Sequence, residues 1–244
     1  GAALLHLHDS SILEKWKKSG IEYVNVIPVD NPLADPFDFE LAGIHILKTA
    51  DIAVKVIERQ DPYESVGVFA KVNNKLRIVE YSDLSDIDKT SLDNNGRLIF
   101  PLANTGIMSF SIKFIEMNID KISSIPWHLA LKKTKLLDKN EKVWKFERYI
   151  FDLFMFTDAI SIIKCDRSSC YSALKNAEGD KSVHSVARDL SIRFKQIYEE
   201  LSGLSAPDRE FELASEFWYP SQEMIDYWKD KPLPNQNYID AYPL

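Results

Sequence analysis

Apolar positions along the chain change period several times, and each change predicts an element. Ser10 or Ser11 stands ahead of Ile12, Leu13 and Trp16, a cap followed by helical spacing that Gly20 brings to a stop. Tyr23-Val24-Asn25-Val26-Ile27-Pro28-Val29 is β-branched and apolar on both faces, the pattern of a buried strand, with Asp30 and Asn31 at its C-terminal end. Beyond the proline-rich link from Pro32 to Pro36 come short strand-like runs: His45 to Leu47, Ala53 to Ile57, Val66 to Val72, Leu76 to Tyr81 and Leu98 to Phe100. Asn73-Asn74-Lys75 predicts a tight hairpin between the third and fourth of these. From about Phe114 the pattern changes. Lys142 to Ile160 is dense in aromatic and aliphatic residues at helical spacing, Val186 to Leu201 reads as a second amphipathic helix, and the Trp-, Tyr- and Pro-rich tail from about Glu210 reads as a small irregular cap.

Interleaved strands and helices predict a mixed α/β fold. In open α/β sheets ligands sit at the C-terminal ends of strands, so a carboxylate at Asp30 is placed for chemistry. Such a sheet normally carries a glycine-rich phosphate loop at its first strand, yet neither Gly-x-Gly-x-x-Gly nor Gly-Lys-Ser/Thr occurs, and the chain holds only 8 glycines. The chain therefore reads as cut inside a domain.

Composition narrows the classes. With 244 residues and 45% hydrophobic side chains, one sizeable core or a core plus an appendage is expected. Thirty Lys and Arg against 37 Asp and Glu leave a net charge of −7 and no basic run, so no nucleic-acid partner is expected. The longest apolar stretch, Ile150 to Phe156, is interrupted by Asp152 and is too short for a bilayer, and the first eight residues lack the features of a secretion signal. Cys165 and Cys170 form neither a disulfide framework nor a zinc site, which points to a reducing cytoplasm. His6, His8, His45, His128 and His184 have no ligand-like companions in the sequence, and Ser168-Ser169 lacks the glycine setting of a hydrolase nucleophile.

Read alone, the remaining polar residues stay ambiguous. Asp30 is a turn acid paired with Asn31 as readily as a ligand, Lys175 a solvated charge, Glu80 an edge carboxylate, Gly67 a bulge, and Tyr149 and Phe151 core aromatics. Four segments change this: Val29-Asp30-Asn31-Pro32-Leu33 with Asp35-Pro36; Lys55-Val56-Ile57-Glu58 with Val66-Gly67-Val68 and Val79-Glu80-Tyr81-Ser82; Tyr149-Ile150-Phe151-Asp152-Leu153-Phe154; and Ser172-Ala173-Leu174-Lys175-Asn176-Ala177. In order and separation they resemble the eukaryotic-type UDP-N-acetylglucosamine (UDP-N-acetylhexosamine) pyrophosphorylase family over roughly residues 1 to 190, as its carboxy-terminal portion.

The resemblance implies a nucleotidyltransferase-type mixed sheet flanked by helices, Rossmann-like, of which this chain carries the sugar-binding half with a small C-terminal appendage. Residues 1–190 would be the catalytic domain without its amino-terminal nucleotide-binding part, and 191–244 a C-terminal helix and irregular tail. It implies a uridylyltransferase joining UTP and N-acetylglucosamine 1-phosphate by direct in-line displacement, with Mg²⁺ on Asp30 and Lys175 on the phosphates. Glu80, beside Tyr81, would accept sugar hydroxyls; Gly67 would let the ligand approach the main chain; Asn104 would contact the sugar, with Ala103 where the family usually has glycine. Tyr149 and Phe151 would surround the N-acetyl group, with Tyr149 where the family's usual residue is Phe. The family's Leu-x-x-Gly-x-Gly-Thr-type loop has no counterpart here, and Gly1 reads as the remnant of a second glycine motif. The expected setting is cytoplasmic, without membrane, as a monomer or weak oligomer. A UDP-glucose or broad UDP-sugar pyrophosphorylase, a non-catalytic sugar-nucleotide-binding homologue and a plain interaction domain are the alternatives.

Overall fold

The computed structural model describes residues 2–136 and 139–242, and the expectation about Gly1 lies outside them. In chain order the elements are helices α1 (Ala2–Asp9) and α2 (Ile12–Lys18), strand β1 (Tyr23–Val26), α3 (Phe39–Lys48), β2 (Ile52–Glu58), β3 (Val68–Val72), β4 (Lys75–Val79), α4 (Asp86–Thr90), β5 (Leu102–Ser111), α5 (Ile112–Met117), α6 (Ile119–Ile122), β6 (His128–Leu136) and β7 (Lys139–Glu147). There follow a 3-10 helix (Ile150–Phe156), β8 (Ile160–Lys164), α7 (Arg167–Cys170), α8 (Val183–Ser202), β9 (Glu212–Leu213), a second 3-10 helix (Ser215–Trp218), α9 (Gln222–Trp228) and β10 (Tyr238–Ile239).

The chain divides into two compact units, one of residues 1–28 and 36–165, the other of residues 29–35 and 166–244. Residue 190 lies inside α8, so the division falls after Cys165.

The first unit holds a mixed sheet of order β4-β3-β5-β2-β8, with β1 also pairing β5. β2 runs parallel to β8 and antiparallel to β5, and β3 and β4 form the hairpin expected from Asn73-Asn74, both of which take left-handed φ values of 50° and 64°. β2 is buried along all but its last residue, as an apolar β-branched run covered on both faces should be. Its one cation, Lys55, is matched by Asp38 Oδ2 at 2.6 Å and Glu40 Oε2 at 2.9 Å. Burial opposes the Lys55 charge, but these two carboxylates outweigh it and raise its pKa. Asp38 also caps α3, accepting from the Leu41 amide at 2.9 Å, so one buried carboxylate starts a helix and ties it to the sheet. The core gathers Ile52, Val54, Val56, Phe69, Met108, Phe110, Phe114, Leu153 and Phe154.

Several sequence expectations are corrected here. His45 to Leu47 lies in α3, because the Asp38 cap starts a helix whose buried face carries Leu41 and His45. Tyr23–Val26 is only partly buried and ends before Pro28, and Val29 is fully exposed. Leu98 to Phe100 contributes a single bridge, Leu92 to Leu98, and the strand is β5. Lys142 to Ile160 is not a helix. Trp144 and Phe146 alternate with Lys145 and Glu147 and sit across from Leu131 and Leu129 on one exposed ribbon face, and only Ile150–Phe156 coils, as 3-10.

The second unit is built on α8, whose expected amphipathic face is confirmed. Ser182 and Ser185 form a reciprocal capping box at its start. Phe194, Ile197 and Tyr198 pack with Phe211, Leu213, Phe217, Met224, Trp228 and Ile239, so the tail holds a core of its own rather than an irregular cap. Trp228 Nε1 donates to the Ala241 carbonyl at 2.8 Å, and the Tyr198 hydroxyl donates to the Lys231 carbonyl at 3.0 Å. Among the described residues no helix is long and apolar enough to cross a membrane.

Candidate functional site

The eight residues singled out by the sequence fall into two groups, one in each unit. In the first unit the group is organised by a bulge in β5. Val54 pairs with Met108 but Val56 pairs with Asn104, so two steps along β2 answer four along β5. Gly106 takes φ +80° inside the bulge, and its amide donates to Asn104 Oδ1 at 3.0 Å. Thr105 is buried and its hydroxyl donates to the Lys55 carbonyl at 2.6 Å, which fixes the extra residues on β2. The Asn104 carbonyl oxygen is thus engaged within its own strand, which leaves the two amide hydrogens as the end of this side chain suited to a sugar hydroxyl.

Asn104 N donates to the Gly67 carbonyl at 2.8 Å, which joins the bulge to the entrance of β3. A Cβ on Gly67 would lie 2.9 Å from Ile78 Cγ2 and 3.1 Å from Glu80 Oε1. Ile78 is buried and cannot retreat, so glycine is required for the main chain to pass this close to the Glu80 carboxylate. Gly67 therefore adjoins both Asn104 and Glu80. Tyr81 follows Glu80 at the end of the hairpin and is exposed.

Tyr149 and Phe151 stack with ring centroids 4.6 Å apart and planes 16° from parallel. Phe151 is buried and belongs to the core, while Tyr149 is partly exposed. Burial first, then the carboxylates of Glu80, Glu147, Asp83 and Asp152, push the Tyr149 phenol up to about 12. Tyr149 therefore shares an electrostatic neighbourhood with Glu80. His128 on β6 also lies against Tyr149, ring centroids 4.5 Å apart, and its Nε2 is 2.8 Å from Asp152 Oδ2. The sequence reading left His128 without a companion. Its hydrogen-bond partner Asp152 lies 24 residues on, beyond the β6–β7 ribbon, and among the described residues no group of three ligand-type side chains forms there.

In the second unit Lys175 Nζ stands 3.8 Å from Asp30 Oδ2, both side chains open to solvent. The backbone brings them together: the Leu174 amide donates to the Asp30 carbonyl at 2.7 Å. The turn carrying Lys175 is closed by the Lys175 and Asn176 amides, which donate to the Lys181 carbonyl at 2.7 and 2.9 Å. Neighbouring Asn31 is buried and bonded to the 170–172 segment, a partner set that the sequence reading did not assign. Among the described residues no group of three or more His, Cys, Asp or Glu side chains is arranged to hold a metal. The accessible Asp30 carboxylate is a ligand of the kind Mg²⁺ takes, since that ion keeps several waters and uses one or two carboxylates plus substrate phosphates.

Comparison with known proteins agrees with the resemblance read from the sequence. Residues 1–200 match the family model described as UTP–glucose-1-phosphate uridylyltransferase. The chain is 30% identical over 217 residues to a Dictyostelium discoideum protein named probable UDP-N-acetylglucosamine pyrophosphorylase, covering 83% of this chain and 45% of that one. It is 32% identical over 192 residues to UDP-N-acetylhexosamine pyrophosphorylase-like protein 1 of Xenopus tropicalis, covering 75% and 38%. The crystal structure of a putative UDP-N-acetylglucosamine pyrophosphorylase from Entamoeba histolytica superposes with a TM-score of 0.76 at 25% identity, covering 98% of this chain and 60% of that chain. The chain spans less than half the length of these two curated relatives, at 45% and 38%. With the expected mixed α/β sheet in place and the family model matched over most of its length, the chain belongs to the UTP–glucose-1-phosphate uridylyltransferase family.

Proposed function

We propose that the protein carrying this chain joins UTP and N-acetylglucosamine 1-phosphate into UDP-N-acetylglucosamine and pyrophosphate. The observation that carries the reading is the pairing of Lys175 with Asp30, 3.8 Å apart in space and far apart in sequence, within the residues 1–200 that match a uridylyltransferase family model. The named relatives support the acetylated sugar.

In the reaction, a phosphate oxygen of the sugar 1-phosphate forms a bond to the α-phosphorus of UTP while the bond to pyrophosphate breaks in line. Lys175 supplies a compact positive charge to the phosphate oxygens, worth most where charge increases in the transition state. Asp30 would hold Mg²⁺, which supplies Lewis-acid neutralisation of phosphate charge when bound. Glu80 accepts sugar hydroxyl hydrogens, and the Asn104 amide donates to sugar oxygens. The Tyr149–Phe151 stack gives an apolar wall for the acetyl methyl. Orientation by such groups accounts for part of the rate, since fixed geometry replaces an improbable encounter. A cytoplasmic setting is in keeping with Cys165 and Cys170 as thiols.

Lys175→Ala in the full-length protein is the test. Removal of one charge-stabilising donor is expected to lower kcat/KM by about 10² to 10³-fold, with little change in melting temperature because the side chain is exposed. A variant within a few-fold of wild type with either N-acetylglucosamine 1-phosphate or glucose 1-phosphate would sink the proposal.

A further inference from the structure

Asn31 is 2% exposed and its side-chain amide is almost fully used. Its Nδ2 donates to the Cys170 carbonyl at 2.8 Å, and its Oδ1 accepts from the Ser172 amide at 2.9 Å and from its own neighbour Leu33 at 3.3 Å. Cys170 ends the short helix α7, so Nδ2 satisfies a carbonyl that the helix itself cannot. The two longer-range bonds span 139 and 141 residues of sequence. The segments they join carry the phosphate-side pair: Asp30 is the residue before Asn31, and Lys175 follows Ser172 by three. Ser172 is itself anchored, its hydroxyl donating to Asp189 Oδ2 on α8 at 2.8 Å.

The chemistry required at position 31 is narrow. A side chain must accept and donate on one plane at one length, in a place where an unmade bond leaves a buried polar group without a partner. Aspartate has the size but no donor for the Cys170 carbonyl. Glutamine has both functions one methylene too far out. Nothing in the bond pattern uses Asn31 to touch a ligand, since its oxygen and one of its amide hydrogens are taken up by backbone groups of the second unit.

We propose that Asn31 is the positioning residue for the Asp30–Lys175 pair, acting on phosphate-side catalysis through the spacing it imposes between the two segments. The assignment rests on the uridylyl-transfer reading above and deepens it. Loss of this amide leaves Asp30 and Lys175 in place chemically while their separation drifts, and displacement of catalytic groups by about 1 Å can cost on the order of 10²-fold in rate.

The experiment compares wild type, Asn31→Ala, Asn31→Asp, Lys175→Ala and Asn31→Ala/Lys175→Ala in the full-length protein, with UTP, N-acetylglucosamine 1-phosphate and Mg²⁺. Asn31→Ala is expected to lower kcat by about 10²-fold, with KM for the sugar phosphate changed little, because the sugar-contacting group lies in the first unit. Combined with Lys175→Ala it should add almost nothing, the signature of two residues acting as one device. Full multiplication of the two losses, or an Asn31→Ala kcat within a few-fold of wild type, overturns the proposal. Should Asn31→Ala fail to fold, Asn31→Asp replaces it in the same cycle, keeping the acceptor and losing the donor. Deuterium exchange over residues 170–176 accompanies the kinetics and separates the two readings. If wild type transfers no uridylyl group, the functional proposal falls; faster exchange confined to this segment in Asn31→Asp then still supports Asn31 as the clamp, and unchanged exchange removes that role too.

Discussion

Tyr149 holds its hydroxyl among carboxylates that all favour the protonated phenol, Glu80 and Glu147 foremost. At a value of about 12 it stays a neutral hydroxyl across any working pH, a polar point on a wall whose other ring, Phe151, is purely apolar. An acetyl methyl placed against that wall gains less than it would from two phenyl rings. Tyr149→Phe is therefore expected to raise the ratio of kcat/KM for N-acetylglucosamine 1-phosphate over glucose 1-phosphate by about 10-fold, the lower end of what one small group in an apolar pocket supplies. Parallel assays of both sugars on wild type and variant measure it, and an unchanged ratio means the hydroxyl does not face the acetyl group. Most of the candidate residues were legible at this scale because short motifs mark them, such as Val-Glu-Tyr-Ser and Leu-Lys-Asn-Ala. The surroundings of Asn31 and His128 were not, because the hydrogen-bond partner of each lies 139 or 24 residues away.

At the scale of elements, period decided what could be read. β2, the β3–β4 hairpin and α8 have local patterns that agree with their burial, so sequence and structure coincide. β5 is not read from the sequence because its bulge breaks the alternation at Thr105 and Gly106, the same irregularity in which the Gly106 amide engages Asn104 Oδ1. His45 to Leu47 read as strand because three apolar or aromatic residues in a row outweigh a cap seven residues upstream in any short window. The bulge has its own test. Alanine at Gly106 must adopt φ +80° with Pro28 Cγ at 3.3 Å from the new Cβ. Gly106→Ala is expected to cost about 1 to 2 kcal/mol of stability, read as a lower denaturant midpoint with unchanged slope. It should also raise the sugar-phosphate KM more than it lowers kcat. A variant as stable as wild type would mean the left-handed turn is not held under load.

For the whole molecule, acid stability should hinge on one buried imidazole. His45 is 0% exposed, its Nε2 facing the Ala50 carbonyl at 3.0 Å and its Nδ1 the Ser109 hydroxyl at 2.9 Å. A carbonyl only accepts, so Nε2 carries the hydrogen and Nδ1 accepts from Ser109: the neutral ring is fully satisfied. Burial holds its pKa below the ordinary 6.5. The unfolded chain then binds a proton before the folded one does, so stability is complete above 6.5 and is lost as pH falls through the depressed folded value. Denaturant titrations at pH 7.5 and below 6 should show this slope in wild type and a flatter one in His45→Gln, and equal slopes would exclude His45 as its source. A further consequence comes from the seven residues, 29–35, that the second unit takes from early in the chain. During synthesis Asn31 leaves the ribosome 141 residues before Ser172, its later partner. At about 5 to 20 residues per second this is a wait of roughly 7 to 30 s. Over that interval the residues of the first unit emerge, and the Asp30–Lys175 pair cannot form until Lys175 has followed them.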